Sequence, residues 1–229
     1  MDVATVLGEL EQMGTAQYRK TYARHGVGAN MYGVSYANLK LLKKRLKTDQ
    51  ALAQALWATG NHDARILATM IAAPKQVSDD LLENWVCDLD NPPLADAFTS
   101  LAAQTPHARA KADAWVASDE EYIARAGWQV LGQLANNDPT LPDSYFEPYL
   151  ARIEQGIHQA RNRTREAMNT TLIAIGSRNA ALEPVALACA ARIGPVEIDH
   201  GETACETPDA AAYIRKTRAH RESRAETTA

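Results

Sequence analysis

Residues 78–98 read SDDLLENWVCDLDNPPLADAF, and this stretch decides the fold. Ser78 stands as a capping residue before Leu81, Leu82, Trp85 and Val86, which recur at helical spacing. Asn91 caps a second run carrying Leu94, Ala97 and Phe98, with Pro92 placed just inside its start. Two short amphipathic helices joined by so few residues must lie side by side and antiparallel.

The same rhythm extends in both directions. Toward the N-terminus, Val3, Val6, Leu7, Leu10 and Met13 predict a helix ending near Gly14, followed by a short one from Gln17 to Ala23. Gly26 to Asn30 breaks the pattern, Ser35 caps a helix carrying Leu39, Leu41, Leu42 and Leu46, and Thr48 opens a helix through Thr59. Gly60-Asn61 leads into a helix from His62 to about Ala72.

Toward the C-terminus, Ser118 with Glu121 three residues on has the form of a capping box for a helix that ends before Asn136. Tyr145 to Ile157, Thr164 to Gly176 and Ala180 to Ile193 are further helices, and Val196-Glu197-Ile198 is a short extended piece. A last helix is nucleated by Thr207-Pro208 and reaches about Arg218. The expected fold class is therefore all-α. Periodicity alone admits a stack of HEAT-like helical repeats, an α-α superhelix with a concave groove, or an irregular bundle.

Composition agrees with a folded helical chain. Its 229 residues are 46% hydrophobic and 23% charged, with only 2 phenylalanines. One domain over residues 1–221 is expected, including a C-terminal extension at 195–221, with a flexible tail at 222–229 that has no apolar anchor. No stretch of about 20 apolar residues is present, and Met1-Asp2-Val3 does not open a signal sequence, so neither membrane insertion nor secretion is expected. Cys87, Cys189 and Cys205 are too scattered to form a metal or redox motif, which fits reduced thiols in a cytoplasmic protein, with a monomer as the preferred state.

The formal net charge of -4 lends no support to nucleic-acid binding by the molecule as a whole, so local patches carry that question. Lys40, Lys43, Lys44 and Lys47 share one helical face, fit either to meet a phosphate backbone or to stand as a solvated exterior. Arg161, Arg163 and Arg165 straddle a helix start, where backbone N–H groups attract phosphate. Asp96, about a turn inside its helix, is a candidate base or anionic stabiliser, although carboxylates near a helix start are common for structural reasons alone. Arg65 is placed to tie its helix to a neighbour, and His62 and Asp63 lack a third metal ligand. Trp57, Trp85 and Trp128 sit at packing positions, while Trp115 stays open. In the unusual loop 199–209, Asp199, His200 and Cys205 form a candidate second site, with a thiolate pair or a metal as its chemistry; the His-to-Cys spacing matches no compact zinc arrangement.

Read together, Tyr32-Gly33-Val34-Ser35 with Leu39, Leu56-Trp57, His62-Asp63-Ala64-Arg65, Trp85 through Asn91, Arg125, and Asn169 through Gly176 resemble the AlkD-like DNA alkylation repair proteins. These are HEAT-like repeat DNA glycosylases of base excision repair, and the resemblance covers most of the chain. The tail from Asp199 to Ala210 is similar to an extension found in a subgroup of them. The resemblance implies a duplex held in a basic concave groove and removal of positively charged bases such as 3-methyladenine and 7-methylguanine, without a cofactor. An aspartate supports the developing sugar cation and positions water, two tryptophans contact the lesion's backbone, and an arginine lines the same surface.

Carried over by position, Asp96 matches the catalytic aspartate and Arg125 the groove arginine, while Pro92 and Thr170 fall where the tryptophans stand. Neither supplies a broad ring face against Asp96. Two functions are thus expected: a DNA-binding protein of alkylation-repair type with N-glycosylase action through Asp96, or an inactive helical-repeat scaffold that binds protein or nucleic acid through the same face.

Overall fold

A computed structural model describes residues 1–228, with side chains through residue 224. The described residues form thirteen α-helices and one 3-10 turn, Pro74–Gln76, with no strand. The fold is all-α, of the HEAT-like helical-repeat class. The described residues fall into two compact units, residues 1–108 with 201–203, and residues 109–200 with 204–228.

The first unit contains α1 (Val3–Met13), α2 (Ala16–Arg24), α3 (Tyr36–Leu46), α4 (Gln50–Trp57), α5 (His62–Ile71), α6 (Asp79–Val86) and α7 (Pro92–Ala102). Helix α5 lies at its centre, packed against α1, α3, α4 and α7. Being covered on so many sides, it buries eight of its ten residues, His62 and Asp63 included. Leu39, Leu42, Leu56, Ile66, Leu67, Ile71 and Phe98 fill the core at 0 to 1% exposure, each such side chain adding about 1.5–3 kcal/mol. Trp57 of α4 and Trp85 of α6 stack in parallel at 4.2 Å between centroids.

The capping signals at Ser35, Ser78 and Asn91 are used as expected, each side-chain oxygen accepting from the N–H three residues on. Asp49, not Thr48, caps α4, because its carboxylate takes the Leu52 N–H. Asp63 does more than extend a helix. Its buried carboxylate accepts the N–H groups of Tyr32, Gly33 and Val34 at 2.6, 3.0 and 2.8 Å, drawing the loop before α3 onto α5.

The second unit comprises α8 (Ala108–Trp115, whose first residue precedes the unit boundary), α9 (Glu121–Asn137), α10 (Asp143–Gly156), α11 (Asn162–Ser177), α12 (Leu182–Ile193) and α13 (Ala210–Thr228). Helix α11 is central here, touching α9, α10, α12 and α13. Small residues permit the approach. A Cβ on Gly127 of α9 would stand 2.4 Å from the Val116 nitrogen after α8, and one on Gly176 of α11 would stand 2.7 Å from both Ala186 and Ile214. The Ser118 and Glu121 capping box does not form. Helix α9 has no side-chain cap, Ser118 accepts from the Glu120 N–H, and Glu121 instead accepts the Arg163 N–H at the start of α11. Residues 196–198 remain outside any helix and join no strand, and α13 runs on to Thr228, past the point where apolar patterning ends. Residue 229, the end of the expected tail, lies outside the described residues.

The two units share a device that makes the repeat visible. Arg65, fourth in α5, donates to the Trp57 carbonyl at the end of α4 and pairs with Asp88 at 3.0 Å. Arg165, fourth in α11, donates to the Ile157 carbonyl at the end of α10 and to the Ala160, His158 and Glu197 carbonyls. In each case a guanidinium eight residues downstream satisfies carbonyls that the preceding helix leaves unpaired. Of the three thiols, Cys87 and Cys205 are exposed and Cys189 is buried; burial and then the nearby Glu154 charge push the Cys189 pKa up to about 11. No helix is long and apolar enough to cross a membrane among the described residues.

Candidate nucleic-acid interface

In the first unit, Asp96 is exposed on α7 and lines a cleft of about 450 Å³ with Tyr36 and Lys43 of α3, Thr69 of α5, Ser100 further along α7 and Gln104 just beyond its end. The site is assembled by α5, which holds α3 and α7 on its flanks. Asp96 is close enough to Tyr36 to affect its titration: burial first, and then the Asp96 charge, push the Tyr36 hydroxyl up to about 12. A phenol so disposed stays protonated at neutral pH and is available as a donor.

Lys40, Lys43, Lys44 and Lys47 are all exposed on or just beyond α3. Lys47 closes the helix with a positive φ of 59°. Their neighbour Arg45 is turned the other way and engages Glu9 through both terminal nitrogens at 2.7 and 2.9 Å. The basic run thus divides into a lysine face and an arginine used for structure. Pro92 lies one turn before Asp96 on α7, half-buried, and offers a saturated ring in place of an aromatic face.

The arginines of the second unit are engaged more heavily than a groove lining requires. Arg125 is 4% exposed and ion-paired with Glu166 of α11, while also donating to the Arg163 carbonyl at 3.3 Å. Arg163 pairs with the same Glu166 at 3.3 Å, and its N–H is held by Glu121 at 2.6 Å, so a carboxylate already occupies that helix start. Arg165 is spread over four carbonyls, as described above; Arg161 is exposed. Thr170 is exposed one turn beyond Glu166, to whose carbonyl its hydroxyl donates.

The loop after α12 joins this network. His200 approaches Thr207 at 3.0 Å through Nε2 and Glu166 at 4.0 Å through Nδ1, and Asp199 exchanges hydrogen bonds of 2.8 and 2.7 Å with Asn162. Cys205 is exposed. No group of three or more His, Cys, Asp or Glu residues placed to hold a metal occurs among the described residues. Glu166 and Tyr36 are the residues that sequence reasoning passed over, and Glu121 is one to which it gave a different partner. Glu166 and Glu121 act on partners about 40 positions distant, beyond the reach of any local motif.

The similarity of the chain to known proteins covers both units. The family model described as DNA alkylation repair enzyme matches residues 6–214. The uncharacterized proteins Lmo0209 of Listeria monocytogenes and Lin0241 of Listeria innocua are 28% and 27% identical over 216 residues, covering 92% of this chain and 94% of each relative. A solved structure described as "A new family of proteins related to the HEAT-like repeat DNA glycosylases with affinity for branched DNA structures" superposes with a TM-score of 0.88 at 30% identity. It covers 96% of this chain and 95% of that one. With a family match running almost end to end over a helical-repeat fold, the chain belongs to the DNA alkylation repair enzyme family.

Proposed function

We propose that the protein binds DNA, as a monomer in the cytoplasm, and prefers branched DNA to a linear duplex. The observation that carries this reading is the exposed lysine face of α3, with Lys43 running into the cleft that Asp96 lines. Four cations on and just beyond one helix suit a phosphate backbone, and neither Pro92 nor Thr170 offers a ring face to hold a lesion nucleotide. The similar protein of known structure, described as having affinity for branched DNA, supports the preference.

Fluorescence anisotropy with a labelled four-way junction and a linear duplex of matched sequence, at stepped salt concentrations, tests it. Junction affinity is expected to exceed duplex affinity and to fall with salt at a log–log slope steeper than about 2. Lys43→Glu is expected to weaken both DNAs several-fold and to lower the slope by about 1. Binding that ignores salt, or that does not distinguish the two DNAs, contradicts the proposal.

A second reading, base excision through Asp96, is favoured by the exposure of this carboxylate within a cleft rather than in the core. A carboxylate so placed can stabilise a developing sugar cation, and an alkylated base already leaves easily. Release of 7-methylguanine from methylated DNA by the parent protein, lost in Asp96→Asn, is the result this reading requires. Release that persists undiminished in the variant removes Asp96 from the chemistry, and release by neither protein leaves binding alone.

A further inference from the structure

A second cleft, of about 660 Å³, lies wholly within the second unit and has different chemistry. Three helices each line it with side chains on successive turns: Gln129, Gln133 and Asn136 from α9, Thr170 from α11, and Tyr213 and Arg221 from α13. None of its lining residues is Asp, Glu or Lys. Its one cation is already engaged, since Arg221 donates to the Ser177 carbonyl at 2.6 Å and to the Asn136 side chain at 3.0 Å. The cleft thus holds one guanidinium, tied in place by neutral acceptors, and is otherwise uncharged and rich in amides, which both donate and accept hydrogen bonds.

Tyr213 is 51% exposed on this cleft although its neighbour Ile214 is 0% exposed. Ile214 packs where Gly176 leaves room, and Arg221 pins the same helix two turns later. The aromatic ring is thus presented to solvent from a backbone fixed on both sides, which lowers the ordering cost of stacking a ligand on it. Ser177, also in the lining, is 1% exposed, and its hydroxyl has no hydrogen-bond partner among the described residues.

A planar ligand with hydrogen-bonding edges fits the exposed ring of Tyr213 and the amides that line this cleft. We infer that the cleft receives an unpaired nucleobase of bound DNA, stacked on Tyr213 and met at its edges by Gln129 and Gln133. The inference rests on the DNA-binding reading above and adds a site to it: phosphates are held by the lysine face, and a base released from pairing at a branch point enters the cleft between α9, α11 and α13. The C-terminal helix is then a recognition element, supplying an aromatic face close to Thr170.

The test uses the full chain and two DNAs, a duplex carrying one unpaired 2-aminopurine and the same duplex fully paired. Tyr213→Ala is expected to weaken binding of the bulged duplex roughly tenfold and to abolish the fluorescence quench of the bulged base, leaving the paired duplex unchanged. Tyr213→Phe keeps the ring face and is expected to retain affinity and quench. Parent-like quench and affinity in Tyr213→Ala, or an equal loss on both DNAs, overturns the cleft assignment while leaving DNA binding in place. A parent protein that binds neither DNA overturns the DNA-binding reading, and this one with it. Thermal melts of both variants should match the parent, because the ring lies outside the core.

Discussion

Asp63→Ala is expected to cost about 3–5 kcal/mol of folding stability, the largest loss of any single polar substitution in the first unit. The carboxylate is 0% exposed and accepts three consecutive backbone N–H groups, those of Tyr32, Gly33 and Val34. Once the carboxylate is removed, these donors lose their shared acceptor, and those of Gly33 and Val34 are buried.

The loop they belong to carries other contacts. Thr15 donates its N–H to the Gly33 carbonyl at 2.9 Å, His62 donates to the Asn30 carbonyl at 2.9 Å, and the Tyr22 hydroxyl donates to the Val34 carbonyl at 2.7 Å. Gly33 holds a φ of +78° against Arg19, a conformation that a side chain would strain. Loss of Asp63 should therefore loosen α2 and the segment before α3 together. Urea unfolding measures the total, and amide exchange at residues 32–34 locates it. Asp63→Asn should be nearly as damaging, because its amide turns one accepting oxygen into a donor that meets an N–H. A loss below about 1 kcal/mol would mean that water replaces the carboxylate and that the loop is not built on it.

Gly127→Ala is expected to cost about 3 kcal/mol or more, at the upper end of what overpacking produces. The added methyl would stand 2.4 Å from the Val116 nitrogen and 2.7 Å from the Trp115 carbonyl carbon, both of them backbone atoms that cannot rotate aside. Helix α9 would have to move off the end of α8, uncovering Trp115, which is 3% exposed. Gly8 provides the control, since a Cβ there has nothing within 4 Å. Gly8→Ala should gain up to about 1 kcal/mol from helix propensity alone. Denaturation midpoints of the two variants should move in opposite directions, and a midpoint that rises in both would show that the 2.4 Å approach relaxes without cost.

How much of this was legible in the sequence depended on the distance between partners. Caps at Ser35, Ser78 and Asn91 act over three residues and could be read directly, as could the apolar stripes that bury Leu39, Leu82 and Phe98. The tryptophans at 57, 85 and 128 are buried, as their spacing required, and Trp115 joins them. Helix α8 was not legible. It is eight residues long, and its sequence ARAKADAW offers no spaced stripe of large apolar residues to mark it.

The capping box at Ser118 and Glu121 misled for the opposite reason. Its local form is good, but the Glu121 carboxylate gains more from the exposed start of α11, 42 residues away, than from its own helix. The same limit applies to the candidate sites. The face shared by Lys40, Lys43, Lys44 and Lys47 follows from helical period, whereas the pairing of Arg125 with Glu166 spans 41 residues and needs the folded chain. Tyr36 beside Asp96 belongs to the same class, since the two meet only because α5 carries both neighbouring helices.

The unequal environments of the three thiols have a practical consequence. Cys189 is buried against the Leu150 carbonyl and remains almost wholly un-ionised near neutral pH, so thiol-directed dyes should pass it by. Cys87 and Cys205 are exposed, and they lie one in each unit. The natural chain thus carries its own pair of labelling points for energy transfer, one in each unit, ready to report whether the two halves shift when DNA is added.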